Sequence, residues 1–293
     1  MSSKRFGLVV FLVLAVALAA CQSALPQTGD TAGTSEAVDQ SGINEATFVA
    51  TEYVYQGPES IPGGWSRLTL DNQGQQPHDL IMVRLAEGKT VEDVMAALEA
   101  EGPPEWATLY GGVSAQAGQS ESYVVDLEPG SYVMFSFGDE EQGPPDAAQG
   151  MIRTLTVTAA ESDVAESDLP QADVTVDMLD YTFARNGDIQ AGEQVLRVSN
   201  KGKEVHEMIV FRLKEGATLE DLQPWLSEEG TPPEGEPPFE DVGSTFLSPG
   251  ITAYMTMDFQ PGQHVFYCFL PSPANEMKPH FMLGMVHEVM VEG

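Results

Sequence analysis

The sequence predicts an all-β protein built from two tandem β-sandwiches, each with one short inserted helix. Three observations lead to this prediction. A long segment of the first half recurs in the second half. Within each copy, short runs rich in β-branched and aromatic residues are bounded by Gly, Pro and Asn, a pattern typical of sandwiches and barrels. One stretch in each copy keeps helical spacing instead.

The repeat is clearest in two pairs of segments. "LDNQGQQPHDLIMVRLAEG" aligns with "VSNKGKEVHEMIVFRLKEG", so that Asn72 falls on Asn200. Further on, "AGQSESYVVDLEPGSYVMFSF" aligns with "PGITAYMTMDFQPGQHVFYCF", which brings Ser136 onto Cys268. The offset grows from 128 residues for the first pair to 132 for the second. The second copy therefore carries four extra residues, most simply in its Pro-rich "EEGTPPEGEPPFED" loop.

The order of elements is clearest in the second copy. The segments "DMLDYTF", "QVLRVSN", "HEMIVFRL", "TAYMTMDF", "GQHVFYCF" and "GMVHEVMV" are short and mostly period-two, so each predicts a strand. The stretch "TLEDLQPWLSEEG" differs, because Leu219, Leu222 and Leu226 recur at helical spacing. Thr218 is a suitable N-cap and Gly230 a suitable end. The first copy has the counterpart "TVEDVMAALEAEG", and we expect one helix in each copy.

The N-terminus predicts export. Residues 1–21 join a basic start, "MSSKR", to the apolar run "FGLVVFLVLAVALAA", which is too short to be comfortable as a membrane span. This is the build of a secretory signal peptide. The closing "LAAC" resembles the bacterial lipobox, which implies cleavage before Cys21 and a lipid on its thiol. We therefore expect an extracytoplasmic, membrane-anchored lipoprotein on a periplasmic or cell-surface face.

The remaining chain divides into a tether, two domains and a linker. Residues 22–43 are rich in Ser, Thr, Gly and Gln, with few large apolar side chains, which predicts a flexible tether. Residues 159–171, "AAESDVAESDLPQ", are acidic with no basic residue. This segment is the predicted linker between domains at 44–158 and 172–293.

The charge excludes one class of partner. The chain has 45 Asp and Glu against 13 Lys and Arg, a formal net charge of −32 at pH 7. Nucleic-acid binding requires a basic footprint, so we expect no nucleic-acid partner. The acidic surface favours solubility, and steering toward a basic partner surface is the alternative.

An unpaired cysteine and two histidines point to a metal site. If Cys21 is lipidated, Cys268 has no partner for a disulfide within the chain, an unusual position for an exported thiol. His206 stands near the start of a predicted strand. Downstream of Cys268, His280 and Met285 complete a C-x11-H-x4-M spacing. Two imidazoles, one thiolate and a weak thioether form the ligand set of a blue-copper electron-transfer site.

This pattern resembles that of the cupredoxins, the family of plastocyanin, azurin and copper nitrite reductase. The segment "NKGKEVH", from Asn200 to His206, also resembles the one that carries the family's first histidine. The resemblance covers the second copy from end to end and the first in outline. It implies two cupredoxin-like Greek-key β-sandwiches. It also implies one type 1 copper ion in the second domain, held by His206, Cys268, His280 and Met285.

Two features depart from the family pattern. The loop between Cys268 and His280 is longer than in the small members of the family. Glu207 stands where the family often has Asn. A carboxylate at that position is expected to alter the potential or the exposure of the metal.

Other sulfur and imidazole side chains fit the pattern less well. His264 and His287 lie outside it and are expected to be surface or packing residues. Met277 and Met282 are near enough to compete with Met285, but only Met285 has the family spacing.

The first copy lacks the metal pattern. His78 matches the first histidine, but Ser136 takes the cysteine position, Asp146 the second histidine position and Met151 the methionine position. A hydroxyl and a carboxylate do not make a blue-copper site. We expect this domain to bind no copper and to act as a scaffold, spacer or docking surface, with a weak hard-metal site at His78 and Asp146 as the alternative.

Three functions compete for the whole chain. The first is a one-electron carrier to a redox protein, such as a c-type cytochrome or a membrane redox complex. The second is copper delivery, storage or sensing, and the third is a metal-free surface module. We expect no enzyme, because cupredoxin oxidases need a second copper centre built from His-x-His pairs and a histidine beside the cysteine. The chain has no His-x-His, and Tyr267 and Phe269 flank Cys268.

Overall fold

The computed structural model describes residues 42–98, 102–138, 144–161, 163–222, 224–226, 233 and 235–293. The predicted signal peptide, its lipidated Cys21 and the tether as far as residue 41 lie outside these residues. The described chain forms 19 β-strands and two short α-helices. The predicted all-β fold class is therefore confirmed.

The first copy of the repeat supplies nine strands and one helix. Their inner faces follow the period-two pattern; in β1, Ala46, Phe48 and Ala50 are buried between more exposed neighbours. The elements are β1 (Asn44–Thr51), β2 (Val54–Gln56), β3 (Ser60–Pro62), β4 (Gly64–Asn72), β5 (His78–Leu85), α1 (Val91–Ala97), β6 (Ala107–Ala115), β7 (Ser120–Leu127), β8 (Gly130–Phe135) and β9 (Ile152–Thr158).

The second copy supplies ten strands and one helix. They are β10 (Val174–Leu179), β11 (Thr182–Asn186), β12 (Gly192–Asn200), β13 (His206–Leu213), α2 (Leu219–Leu222), β14 (Phe239–Leu247), β15 (Thr252–Phe259), β16 (Gly262–Tyr267), β17 (Pro271–Ser272), β18 (Lys278–Pro279) and β19 (Val286–Val291). The two-residue strands β17 and β18 pair with each other inside the long loop between Cys268 and His280. Most of this loop is thus part of the folded structure.

Two large sheets contain strands of both copies. One has the order β11-β10-β12-β15-β7-β4-β1-β2, and the other has the order β19-β16-β13-β14-β6-β5-β8-β9-β3. One cluster of buried apolar side chains draws on both copies, from Phe48 and Leu68 to Phe259 and Phe266. The two predicted domains therefore share sheets and core, while the boundaries at 44–158 and 172–293 stay a prediction.

The junction between the copies has approximate twofold symmetry. Strand β7 pairs antiparallel with β15, its own counterpart in the repeat, and Tyr123 lies opposite Met255. These two residues are 132 apart, which is the offset of the repeat in this region. In the other sheet β6 pairs with its counterpart β14. Each copy thus uses the same two edges to contact the other, as the subunits of an isologous dimer do.

The described part of each helix is short. Helix α1 begins after Thr90, whose backbone N–H donates to Asp93 at 3.0 Å. The described part of helix α2 is Leu219–Leu222. The N–H of Leu226 donates to the carbonyl oxygen of Leu222 at 3.0 Å, a bond of helical spacing. The predicted end at Gly230 lies outside the described residues. No helix in the described chain has the length and apolarity to span a membrane.

Candidate metal centre

The four predicted ligands lie at the ends of neighbouring elements. His206 is the first residue of β13, and Cys268 follows the last residue of β16. Strands β13 and β16 are hydrogen-bonded neighbours, so their ends meet at one edge of the sandwich. His280 opens a 3₁₀ turn, and Met285 lies directly before β19, which pairs with β16.

Three of these ligands converge. His206 Nδ1 lies 3.0 Å from His280 Nδ1, and Cys268 Sγ lies 3.2 Å from the same nitrogen. All three donor atoms are within 4.8 Å of one another, and all three side chains are buried. Within the described residues no other three His, Cys, Asp or Glu side chains come so close together. Met285 is also fully buried, and its N–H donates to the His280 carbonyl oxygen at 3.0 Å.

Backbone hydrogen bonds fix the cysteine and the turn. The N–H of Glu207 points at Cys268 Sγ from 3.4 Å, and such a donor favours the thiolate form. The carbonyl oxygen of Cys268 accepts from the N–H of Phe281 at 2.9 Å, and the N–H of His280 donates to the carbonyl oxygen of Leu270 at 2.9 Å. The cysteine strand and the histidine turn are therefore joined to each other on both sides of the donor cluster.

Both imidazoles have a carboxylate at their outer nitrogen. Asp180 Oδ1 lies 3.0 Å from His206 Nε2, and Glu204 Oε2 lies 2.8 Å from His280 Nε2. A carboxylate only accepts hydrogen bonds, so each imidazole carries its proton on Nε2. Its Nδ1 is then unprotonated, with a lone pair that can ligate a metal. This is the arrangement that usually supports a metal-ligating histidine. Sequence analysis missed both Asp180 and Glu204.

Burial sets the protonation of the cluster. It raises the pKa of the Cys268 thiol well above its usual value, and the nearby carboxyl of Glu207 raises this pKa further. Burial also lowers the pKa of His206 and of His280, against the opposing effect of their carboxylate partners. Without a cation the cluster holds a thiol and neutral imidazoles. Binding a metal must therefore displace the thiol proton.

The carboxyl of Glu207 braces the backbone beside the cysteine. It is buried, and it accepts a 2.6 Å hydrogen bond from the N–H of Phe269. Burial raises its pKa to about 7, against the lowering effect of that hydrogen bond. The expected influence of this residue on the metal thus has a structural basis, because the N–H of Glu207 points at the thiol and its carboxylate holds the backbone of Phe269, the residue after Cys268.

The remaining histidines and methionines stay outside the cluster. His264 is fully buried and packs edge-on against Phe259 with ring centroids 5.3 Å apart, so it is a packing residue. His287 is partly buried. Met277 and Met282 are 37% and 66% exposed, in contrast to the buried Met285.

In the first copy, the equivalent positions form a closed polar network. His78, Ser136, Asp146 and Met151 are all buried. Asp146 Oδ2 lies 2.8 Å from His78 Nδ1 and accepts from Ser136 Oγ at 2.9 Å. The carboxylate thus occupies the place of the second imidazole and binds the first histidine directly.

Comparisons with known proteins give weak likenesses to copper proteins. No family model and no curated protein matches the chain. A reduced auracyanin from Roseiflexus castenholzii is 22% identical over 39% of this chain and 97% of its own, with a TM-score of 0.28. A multicopper oxidase is 16% identical over 85% of this chain and 89% of its own, with a TM-score of 0.24. A blue copper oxidase from Nitrosomonas europaea is 12% identical over 84% and 76%, with a TM-score of 0.22.

These neighbours correct one prediction. The sequence predicts that the chain is not an enzyme, whereas many of the similar solved structures are multicopper oxidases, which are enzymes. The exclusion of an enzymatic role is therefore wrong. Likenesses of this size assign no activity, substrate or partner to the chain.

Proposed function

We propose that this protein is a membrane-tethered type 1 copper protein that passes single electrons to or from an extracytoplasmic redox partner. The observation that carries the proposal is the buried cluster of His206, Cys268 and His280, with donor atoms within 4.8 Å of one another. One thiolate and two imidazoles, with Met285 next in the chain, are the donor set of a blue-copper site. Copper held there would supply a one-electron redox couple.

The supports of the cluster favour electron transfer over loose metal binding. His206 is part of a paired strand, and the backbone of Cys268 is hydrogen-bonded to Phe281. Sites whose ligands are held by packing and hydrogen bonds keep their geometry. A site of fixed geometry undergoes little rearrangement when the charge of the metal changes.

The tether and the partner belong to the proposal as well. A lipid on Cys21 and the tether at 22–43 would hold the folded part at a membrane face. The redox partner is a protein such as a c-type cytochrome or a membrane redox complex, and the net charge of −32 would favour a partner with a basic surface. The first copy, with no thiol in its network, serves as a scaffold.

The test is a Cu(II) titration of the soluble chain from residue 22 to 293. An intense visible thiolate-to-copper band and a narrow copper hyperfine splitting in the EPR spectrum are expected. Cys268→Ser should abolish both, whereas Ser136→Ala, at the matched position of the first copy, should retain both. A colourless protein, or a copper spectrum that Cys268→Ser leaves unchanged, would contradict the proposal and favour a metal-free surface module.

Copper handling is the second candidate function, and one observation favours it. The loop that carries His280 exposes two thioethers, those of Met277 and Met282, and soft thioether ligands suit Cu(I). Reversible electrochemical cycling without loss of metal would support the electron carrier. Transfer of Cu(I) to a competing chelator that slows in a Met277→Leu/Met282→Leu variant would support copper handling instead.

A further inference from the structure

The outer edge of the donor cluster is closed by two carboxylates. Asp180 bonds Nε2 of His206 and Glu204 bonds Nε2 of His280. Both imidazoles are fully buried, while the side chains of Asp180 and Glu204 are 26% and 16% exposed. Each carboxylate therefore lies between an imidazole and solvent.

Other residues fix these carboxylates in turn. Asp180 Oδ1 accepts the backbone N–H of Lys203 at 2.8 Å. The loop that precedes His206 therefore holds the Asp180 side chain in place through a backbone hydrogen bond.

The long loop between the cysteine and the second histidine supplies the support for Glu204. Ser272 Oγ donates to Glu204 Oε1 at 3.0 Å, and Tyr181 OH lies 3.3 Å from the same oxygen. Asn275 donates to both Tyr181 OH and Ser272 Oγ, at 2.7 and 3.0 Å. The long loop thus places Ser272 against Glu204, and its Asn275 fixes both Ser272 and Tyr181 there.

The first copy provides an internal comparison. Glu52 and Gln76 occupy the positions of Asp180 and Glu204. Glu52 Oε1 accepts the backbone N–H of Gln75 at 2.7 Å, and His78 Nε2 has no hydrogen-bond partner in the described structure. In the second copy, which has the His-Cys-His cluster, a carboxylate bonds Nε2 of each histidine. In the first copy, which lacks the cluster, no carboxylate bonds Nε2 of His78 in the described structure.

We infer that Asp180 and Glu204 are positioning residues that turn the Nδ1 atoms of His206 and His280 to the metal and stabilise its more positively charged oxidation state. The inference rests on the proposed copper site. A carboxylate that accepts Nε2–H fixes the tautomer and makes the imidazole a stronger donor. Two anions next to the ligands also interact more favourably with Cu(II) than with Cu(I), because the attraction scales with charge.

The variants Asp180→Asn and Glu204→Gln separate charge from shape, because each retains an acceptor oxygen and loses the anion. In the copper-loaded protein each is expected to shift the midpoint potential to more positive values, and the double variant is expected to shift it further. In the metal-free protein, Zn(II) affinity measured by chelator competition should fall about 10- to 100-fold in the double variant.

The matched control is Glu52→Gln, which removes one negative charge at the equivalent position of the first copy and should leave potential and affinity unchanged. Thermal unfolding of each metal-free variant checks that the fold is retained. If the double variant keeps the wild-type Zn(II) affinity and potential, the inference is overturned.

The two proposals fail in different ways. A wild-type protein without the visible copper band contradicts the blue-copper function, yet the Zn(II) arm still decides the role of Asp180 and Glu204. A blue protein whose double variant behaves as the wild type retains the function and loses the inference.

Discussion

At the residue scale, equivalent positions of the two copies hold side chains of different chemistry. In the second copy the donor atoms of His206, Cys268 and His280 face one another with no anion among them. In the first copy Asp146 supplies that anion and binds His78 Nδ1. A buried imidazole is stable there because the carboxylate partners it, and a buried carboxylate needs such a partner.

The substitution Asp146→Ala tests this reading of the first copy. It would leave both ring nitrogens of His78 without a partner, since Nε2 already has none in the described structure. We expect the free energy of unfolding to fall by about 3 kcal/mol, measured by urea denaturation, with the visible copper band of the second copy unchanged. Asp126→Ala on the exposed face of β7 is the control. A loss no larger than that of the control would show that the network does not stabilise the fold.

Single residues also mark the limit of sequence reasoning. The grouping of His206, Cys268 and His280 followed from residue type, spacing and the resemblance to the cupredoxins. Asp180 and Glu204 did not, because acidic residues are abundant in this chain and a carboxylate on a loop has no periodic signal. Comparison of the copies gives a partial signal for Glu204, since its counterpart Gln76 is neutral, but none for Asp180, whose counterpart is also acidic.

At the element scale, the short helix α2 covers the strand that delivers the cysteine. Leu222 is fully buried and belongs to a cluster with Tyr267 and Phe269, the residues on either side of Cys268. Phe281, in the histidine turn, packs against the same cluster. The helical spacing of Leu219 and Leu222 predicted this element.

Leu222→Ala should weaken this support. Deleting a fully buried leucine side chain is expected to lower the free energy of unfolding by about 3 kcal/mol, because α2 is too short to stand without its packing. Chemical denaturation of the metal-free protein measures the loss. Glu220→Ala, at an exposed position of the same helix, should cost far less, and equal losses in the two variants would contradict the role assigned to Leu222.

At the scale of the whole molecule, the two copies are joined through both sheets. The sequence predicted two units and a linker, but not that β7 pairs with β15 and β6 with β14. The period-two pattern of a strand shows which of its faces is buried. It says little about which other strand pairs with its edge. The shared core that follows from this pairing was therefore outside the reach of spacing and composition.

The junction contains a carboxyl group that should make stability depend on pH. Burial, together with Asp79 of the other copy, raises the pKa of Asp241 to about 7, against the lowering effect of a backbone hydrogen bond from Gly243. Above the ordinary carboxyl range, the folded protein keeps this proton while the unfolded chain has lost it. Stability therefore falls as pH rises, and this group contributes a decrease of up to about 3 kcal/mol between pH 5 and pH 8.

Asp241→Asn should remove that contribution. Urea denaturation at pH 5 and pH 8 is expected to show the variant gaining stability relative to the wild type as pH rises. Asp258→Asn, at an exposed position of the neighbouring strand β15, should show no such gain. A pH-independent difference between Asp241→Asn and wild type would mean that this carboxyl titrates as an ordinary surface group.

The twofold junction also affects how the protein behaves at low concentration. Two separate chains paired along these strands would come apart on dilution, because association depends on concentration. A covalent link keeps the halves at a fixed local concentration however dilute the protein becomes. Open strand edges invite pairing with foreign chains. The first copy, which lacks the thiol, therefore covers the strand edges of the second copy at any concentration. This role requires no metal in the first copy.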